Sequence, residues 1–201
     1  QKNKFDYFIY SEDDILFTKK NFKYWLDFKD ICLKHNYNLG FLRIEKKKDK
    51  SFSTDLFQKM KYKTFIKGKK FVVNNINNYC AFWIYDKIEI NNFINTKYWK
   101  FKWKGKSMYA FYGIREMSAI GWHGKNMSRY IATVIPLYNE KLNSGCYINH
   151  LSNNHALSNH PVGFGSIEKT KIINKTLKDF SIVKKEFYIF KYFRNIFRKI
   201  Y

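Results

Sequence analysis

Glu12-Asp13-Asp14 is the stretch of this chain best suited to chemistry. Three adjacent carboxylates repel one another unless a cation or ordered hydrogen bonds hold them, and hard oxygen ligands favour Mg²⁺ or Mn²⁺ over zinc. A second constellation lies far along the chain, where His150, His155 and His160 bring three of the five histidines within eleven residues. Histidines five apart do not share a helical face, so they would meet one metal only in a loop. A third is Arg115-Glu116, an ionic pair inside an apolar stretch, where charge is costly to bury without partners. Each has a plain alternative: a solvated acidic turn, a structural histidine, and a surface salt bridge on an amphipathic helix.

Elements that must position these groups follow from the hydrophobic pattern. Five of the six residues from Phe5 to Tyr10 are apolar or aromatic, which predicts a buried strand ending in the acidic triplet. That end of a strand is where open α/β folds place their ligands. Phe22, Trp25, Leu26, Phe28, Ile31 and Cys32 predict a helix over 20–35, and a strand is expected at 41–44. Residues 45–53 read as a charged loop. Strands are expected over 65–73 and 79–85, joined by an Asn-rich turn, with the second apolar throughout and therefore central. A short helix over 86–96, a basic aromatic excursion over 97–106, a helix over 110–122 and a strand over 133–137 complete the layout. Asp86 and Glu89 sit beside Lys87 in what reads as an exposed helix start, which makes them weaker candidates for chemistry.

Composition narrows the class. At 201 residues the chain is long enough for one domain with a real core, and its 45% hydrophobic content excludes a disordered chain. The net charge of +22 invites a nucleic-acid reading, but only Arg43, Arg115, Arg129, Arg194 and Arg198 of its 38 basic residues are arginines. Arginine is the preferred residue for bidentate phosphate and base contacts, so nucleic acid is not favoured. Cys32, Cys80 and Cys146 are odd in number and lack metal-site spacing, which points to a reducing compartment. No apolar run approaches the ~18 residues of a membrane span.

The stretch Tyr10-Ser11-Glu12-Asp13-Asp14-Ile15, followed by Asn21-Phe22-Lys23-Tyr24-Trp25-Leu26, resembles the metal-binding segment of GT-A glycosyltransferases. It is closest to those, such as the N-acetylglucosaminyltransferases, whose motif is Glu-Asp-Asp followed by Leu or Ile. The resemblance implies that Asp14 binds Mn²⁺ or Mg²⁺ directly, that Asp13 acts through water or the donor ribose, and that Glu12 orients the loop. It also implies a late histidine completing the metal shell, for which His150 is the best match. Glu116 would be the base of an inverting transfer, with Arg115 steadying it or offsetting charge on the departing diphosphate. The likeness covers roughly residues 5 to 160. Such a domain needs ~100 residues of βαβ structure ahead of the motif for the nucleotide base, so a chain truncated at its N-terminus is expected.

From Lys184 onward, Phe187, Phe190, Phe193, Phe197 and Ile200 recur at three- and four-residue steps among lysines and arginines. That pattern predicts an amphipathic helix lying on an anionic membrane, or one docked on the domain. The sequence therefore predicts an α/β fold, a GT-A-like mixed sheet flanked by helices over 1–165, with a basic amphipathic segment over 166–201. The expected activity transfers a sugar from a nucleotide-diphosphate donor to a glycan or lipid-linked acceptor with a divalent metal, in the cytoplasm or peripherally on a membrane. The alternatives are a metal-dependent phosphoesterase and a non-enzymatic basic module on membrane or nucleic acid.

Overall fold

A computed structural model describes residues 4–77, 79–96, 130–156 and 167–183. The chain is mixed α/β, with two helices among the described residues: α1 (Lys19–Lys34) and α2 (Lys87–Ile94). Its strands are β1 (Tyr7–Ser11), β2 (Ile15–Leu16), β3 (Asn38–Leu39), β4 (Leu42–Lys47), β5 (Lys50–Ser53), β6 (Met60–Ile66) and β7 (Lys69–Asn74). They continue with β8 (Phe82–Asp86), β9 (Thr133–Tyr138), β10 (Lys141–Leu142), β11 (Tyr147–His150), β12 (Ile167–Glu168) and β13 (Ile173–Asp179). The expected excursion over 97–106, the helix over 110–122 with Arg115 and Glu116, His160 and the C-terminal stretch from 184 lie outside the described residues.

The chain divides into two compact units, the first including residues 4–10 and 83–96, the second residues 11–77, 79–82, 130–156 and 167–183. In the first unit β1 pairs with β8 as a two-stranded sheet, and aromatic packing dominates. Tyr10 stacks on Trp83 with ring centroids 5.7 Å apart, and Tyr85 packs on Phe93. The prediction of a buried strand before the triplet is corrected here, since Tyr7 and Ile9 remain about half exposed. The strand expected to be central is β8, whose described partner is β1 alone. The helix start expected at Asp86 and Glu89 is present, but it is not wholly exposed. They form a reciprocal capping box at the start of α2, each side chain taking the other's backbone N–H, and Glu89 is buried.

The second unit holds two mixed sheets, ordered β10-β9-β7-β6-β13 with β3 beside β9, and β12-β5-β4-β11-β2. Helix α1 starts where Thr18 and Asn21 form a capping box, and it buries Tyr24, Trp25, Phe28 and Cys32 at helical spacing. Asn21 is itself 2% exposed and donates to the carbonyls of Gly145 and Tyr147, both at 2.8 Å, so the helix start is tied to the entry of β11. The approach needs a glycine: a Cβ on Gly145 would lie 2.4 Å from the Tyr24 Cβ.

Two hairpins escaped the hydrophobic pattern. The expected strand over 65–73 is folded between β6 and β7 at Lys67 (φ 48°) and Gly68 (φ 73°), a two-residue turn with both residues left-handed. The charged loop over 45–53 is the hairpin of β4 and β5, closed at Lys47 opposite Lys50, with Lys48 at φ 53°. Its lysines are exposed, but Glu45 is completely buried. No helix among the described residues is long and apolar enough to cross a membrane.

Candidate functional site

Strand pairing builds the site. Glu12, Asp13 and Asp14 form a turn closed by the Ile15 N–H donating to the Glu12 carbonyl at 3.2 Å. The next two residues pair antiparallel with the end of β11, with Ile15 opposite His150. The Leu151 N–H donates to the Asp14 carbonyl at 2.8 Å, so main-chain bonds fix Asp14 beside His150. Residues distant in sequence thus meet as neighbours across a two-strand ladder.

His150 is 3% exposed and engaged at both ring nitrogens. Its Nε2 lies 2.8 Å from Asp14 Oδ2, and its Nδ1 contacts Glu45 Oε1. Glu45 reaches His150 because β4 and β11 run parallel, with Ile44 opposite Asn149. The other Glu45 oxygen accepts the N–H of His155 at 2.9 Å and that of Ala156. The His155 ring stacks on His150, with centroids 5.2 Å apart and planes 15° apart. Burial, followed by the charge of Arg43, lowers the His155 pKa from its ordinary value, so the ring favours its neutral form.

Glu12 is held from the opposite side of the loop. Its carboxylate accepts the Tyr79 hydroxyl at 2.6 Å, and its backbone N–H donates to the Ala81 carbonyl at 3.1 Å. Burial and this hydrogen bond raise the Tyr79 pKa, so the phenol stays a donor. Arg43 lies over the Tyr79 ring, 5.4 Å from its centroid, and forks onto Asp55 through Nε at 3.0 Å and Nη2 at 2.8 Å. Burial acts to lower the Arg43 pKa, but the Asp55 carboxylate outweighs it and the guanidinium ends above its ordinary value.

Of the residues singled out from sequence, Asp14, His150 and His155 are brought together, while Glu12 turns to Tyr79 and Asp13 is exposed at the turn. Sequence reasoning missed Arg43, Glu45, Asp55 and Tyr79. The available signal was Leu42-Arg43-Ile44-Glu45, a strict alternation whose charged face reads as solvent-facing but is buried on both sides.

A metal fits one arrangement better than another. Glu45, His150 and His155 place ligand atoms within 4.8 Å of one another, but the Glu45 oxygens are spent on the ring and on two backbone N–H groups. Asp14 and His150 are different. His150 Nε2 stands 2.8 Å from Asp14 Oδ2 and 3.1 Å from Ser152 Oγ, a contact that a ring proton or a cation between nitrogen and carboxylate would satisfy. Adjacent ligands on an octahedral ion with bonds of about 2.1 Å sit about 3 Å apart, close to that spacing. Asp14 is also one-third exposed, so the pair is open to solvent on one side.

No family model matches the chain, and neither a curated protein nor a solved structure matches it.

Proposed function

We propose that this chain carries the catalytic region of a GT-A-type glycosyltransferase, moving a sugar from a nucleotide-diphosphate donor to a glycan or lipid-linked acceptor. The observation that carries the reading is the pairing of Asp14 with His150, the two residues that the resemblance assigns to the metal. Asp14 and His150 would hold Mn²⁺ or Mg²⁺, and the bound ion would supply charge neutralisation to the donor diphosphate.

The protein's own residues do the rest. Main-chain pairing of β2 with β11 presets the distance between the two ligands, so little reordering accompanies binding. Tyr79 fixes the Glu12 end of the turn, leaving Asp13 free to face solvent and donor. Glu116 is the base this reading assigns to an inverting reaction, taking the acceptor hydroxyl proton, with Arg115 beside it. The phosphoesterase alternative requires a second ion, and Glu45 already has most of its acceptor sites taken by the ring and two backbone N–H groups.

The test is metal-dependent hydrolysis of a panel of sugar nucleotides by the full-length protein and by Asp14→Ala. Turnover of one donor that needs Mn²⁺ or Mg²⁺ and vanishes in the variant is the expected result. Turnover unchanged by the substitution, or no donor binding by the full-length protein, would overturn the reading.

A further inference from the structure

We infer that Glu45 is a positioning residue that decides which nitrogen of His150 is offered toward Asp14. The metal arm of this inference rests on the function proposed above; its tautomer arm does not.

Glu45 has no solvent exposure, and a buried carboxylate is tolerated only when its lone pairs are occupied. They are occupied in two directions. One oxygen meets His150 Nδ1 and the other takes the N–H groups of His155 and Ala156. With one oxygen taking two backbone N–H groups, the other is left to take the ring's Nδ1–H. The ring then carries a proton on Nδ1 toward Glu45 and presents Nε2 to Asp14 Oδ2 at 2.8 Å and to Ser152 Oγ at 3.1 Å. A metal-binding histidine usually has such an orienting partner, which fixes the tautomer and the ring plane.

The same strand clamps the loop that follows His150. Lys46 donates its N–H to Asn153 Oδ1 at 2.7 Å, and Lys47 Nζ donates to the Ala156 carbonyl at 3.3 Å. Three consecutive residues of β4 thus hold residues 153–156. Glu45 alone among them also touches the ring. From β4 it ties loop placement to ring orientation, while Ser152 Oγ reaches the same ring from within the loop.

Glu45→Gln separates this role from packing. The amide has the shape of the carboxylate, and its oxygen can keep the two backbone N–H groups. Its NH₂ then faces Nδ1, which must accept, so the ring proton moves to Nε2 and blocks metal ligation there. The experiment pairs ¹⁵N–¹H correlation of the histidine rings in mildly alkaline buffer with Mn²⁺ titration followed by EPR, on the full chain. The expected result is a proton on His150 Nδ1 in the wild type and a bare Nδ1, with the ring proton on Nε2, in Glu45→Gln. Mn²⁺ affinity should fall about 10–100-fold in the variant while its melting transition is retained.

A wild-type ring with bare Nδ1 would overturn the inference, as would a folded Glu45→Gln that binds Mn²⁺ as tightly as wild type. Should the wild type bind no Mn²⁺, the metal reading fails and the position of the ring proton alone judges Glu45. Should the variant not fold, the wild-type ring spectrum decides.

Discussion

Arg43 and Glu45 stand two residues apart on β4, on the same face of the strand, yet they serve contrasting arms of one polar network. Arg43 closes on Asp55, with both side chains 3% exposed, and every contact of that pair is internal to the fold. Glu45 closes on His150, and His150 in turn reaches a carboxylate that is 33% exposed. One arm ends in the interior and the other at solvent. A buried ion pair with both ends enclosed adds nothing that a ligand could use, whereas a buried histidine aimed outward is oriented for something beyond the chain. The contrast separates residues that hold the site from residues that meet a ligand, although all are polar and most are buried.

Removing half of the closed arm tests the contrast most severely. Asp55→Ala leaves Arg43 buried without its partner and is expected to cost about 3–5 kcal/mol in a denaturant melt. A cost below about 1 kcal/mol would show that the pair is not the anchor described.

Gly145→Ala probes the scaffold between the arms. The added methyl meets the Tyr24 side chain where α1 packs against the entry to β11, and a loss of about 1–3 kcal/mol is expected by thermal unfolding. Because β11 carries His150, metal affinity should weaken with it.

Tyr79→Phe removes the hydroxyl that donates to Glu12, at the junction of the two arms. The expected loss is about 0.5–1.5 kcal/mol, with Asp14 and His150 still in register through the β2–β11 ladder. A collapse of metal binding in this variant would mean that the two arms are not separable.

The smallest expected signal concerns the thiols. Burial pushes Cys32 and Cys80 up to about 12 and raises Cys146 still further above its ordinary value. All three should resist alkylation in the native protein near neutral pH and react once it is unfolded. Rapid native labelling of any of them would place it in a less protected setting than the core described here.

Much of the local structure could be read before any coordinates. The helix expected over 20–35 forms as Lys19–Lys34, the short helix over 86–96 forms as Lys87–Ile94 behind its Asp86 cap, and the strand over 133–137 forms as Thr133–Tyr138. Those elements carry strong periodicity or a cap, and both are local signals. The pairing of Asp14 with His150 follows from the alignment of β2 and β11, which no local pattern encodes. The hairpin at Lys67-Gly68 was missed because Phe65-Ile66 and Phe71-Val72-Val73 read as one strand and only Gly68 marks the reversal.

Glu45 was hidden for a different reason. Period-two alternation says which residues share a face, not whether that face meets water. Here it meets the 151–156 loop, whose backbone N–H groups compensate the carboxylate. Buried polar networks are decided by partners from remote segments, so a strand with charges on one face reads as amphipathic until those partners are known.

The most direct measurement is Mn²⁺ titration of the wild type and of Asp14→Asn, followed by EPR, with a melt of each metal-free protein alongside. The account predicts a single bound Mn²⁺ in the wild type and a loss of affinity of at least about tenfold in the variant. Metal-free stability should change by no more than about 1 kcal/mol, since Asp14 lies at the open end. Equal Mn²⁺ binding by both proteins, or none by the wild type, would contradict the assignment of Asp14 and His150 as the place where this fold meets a metal.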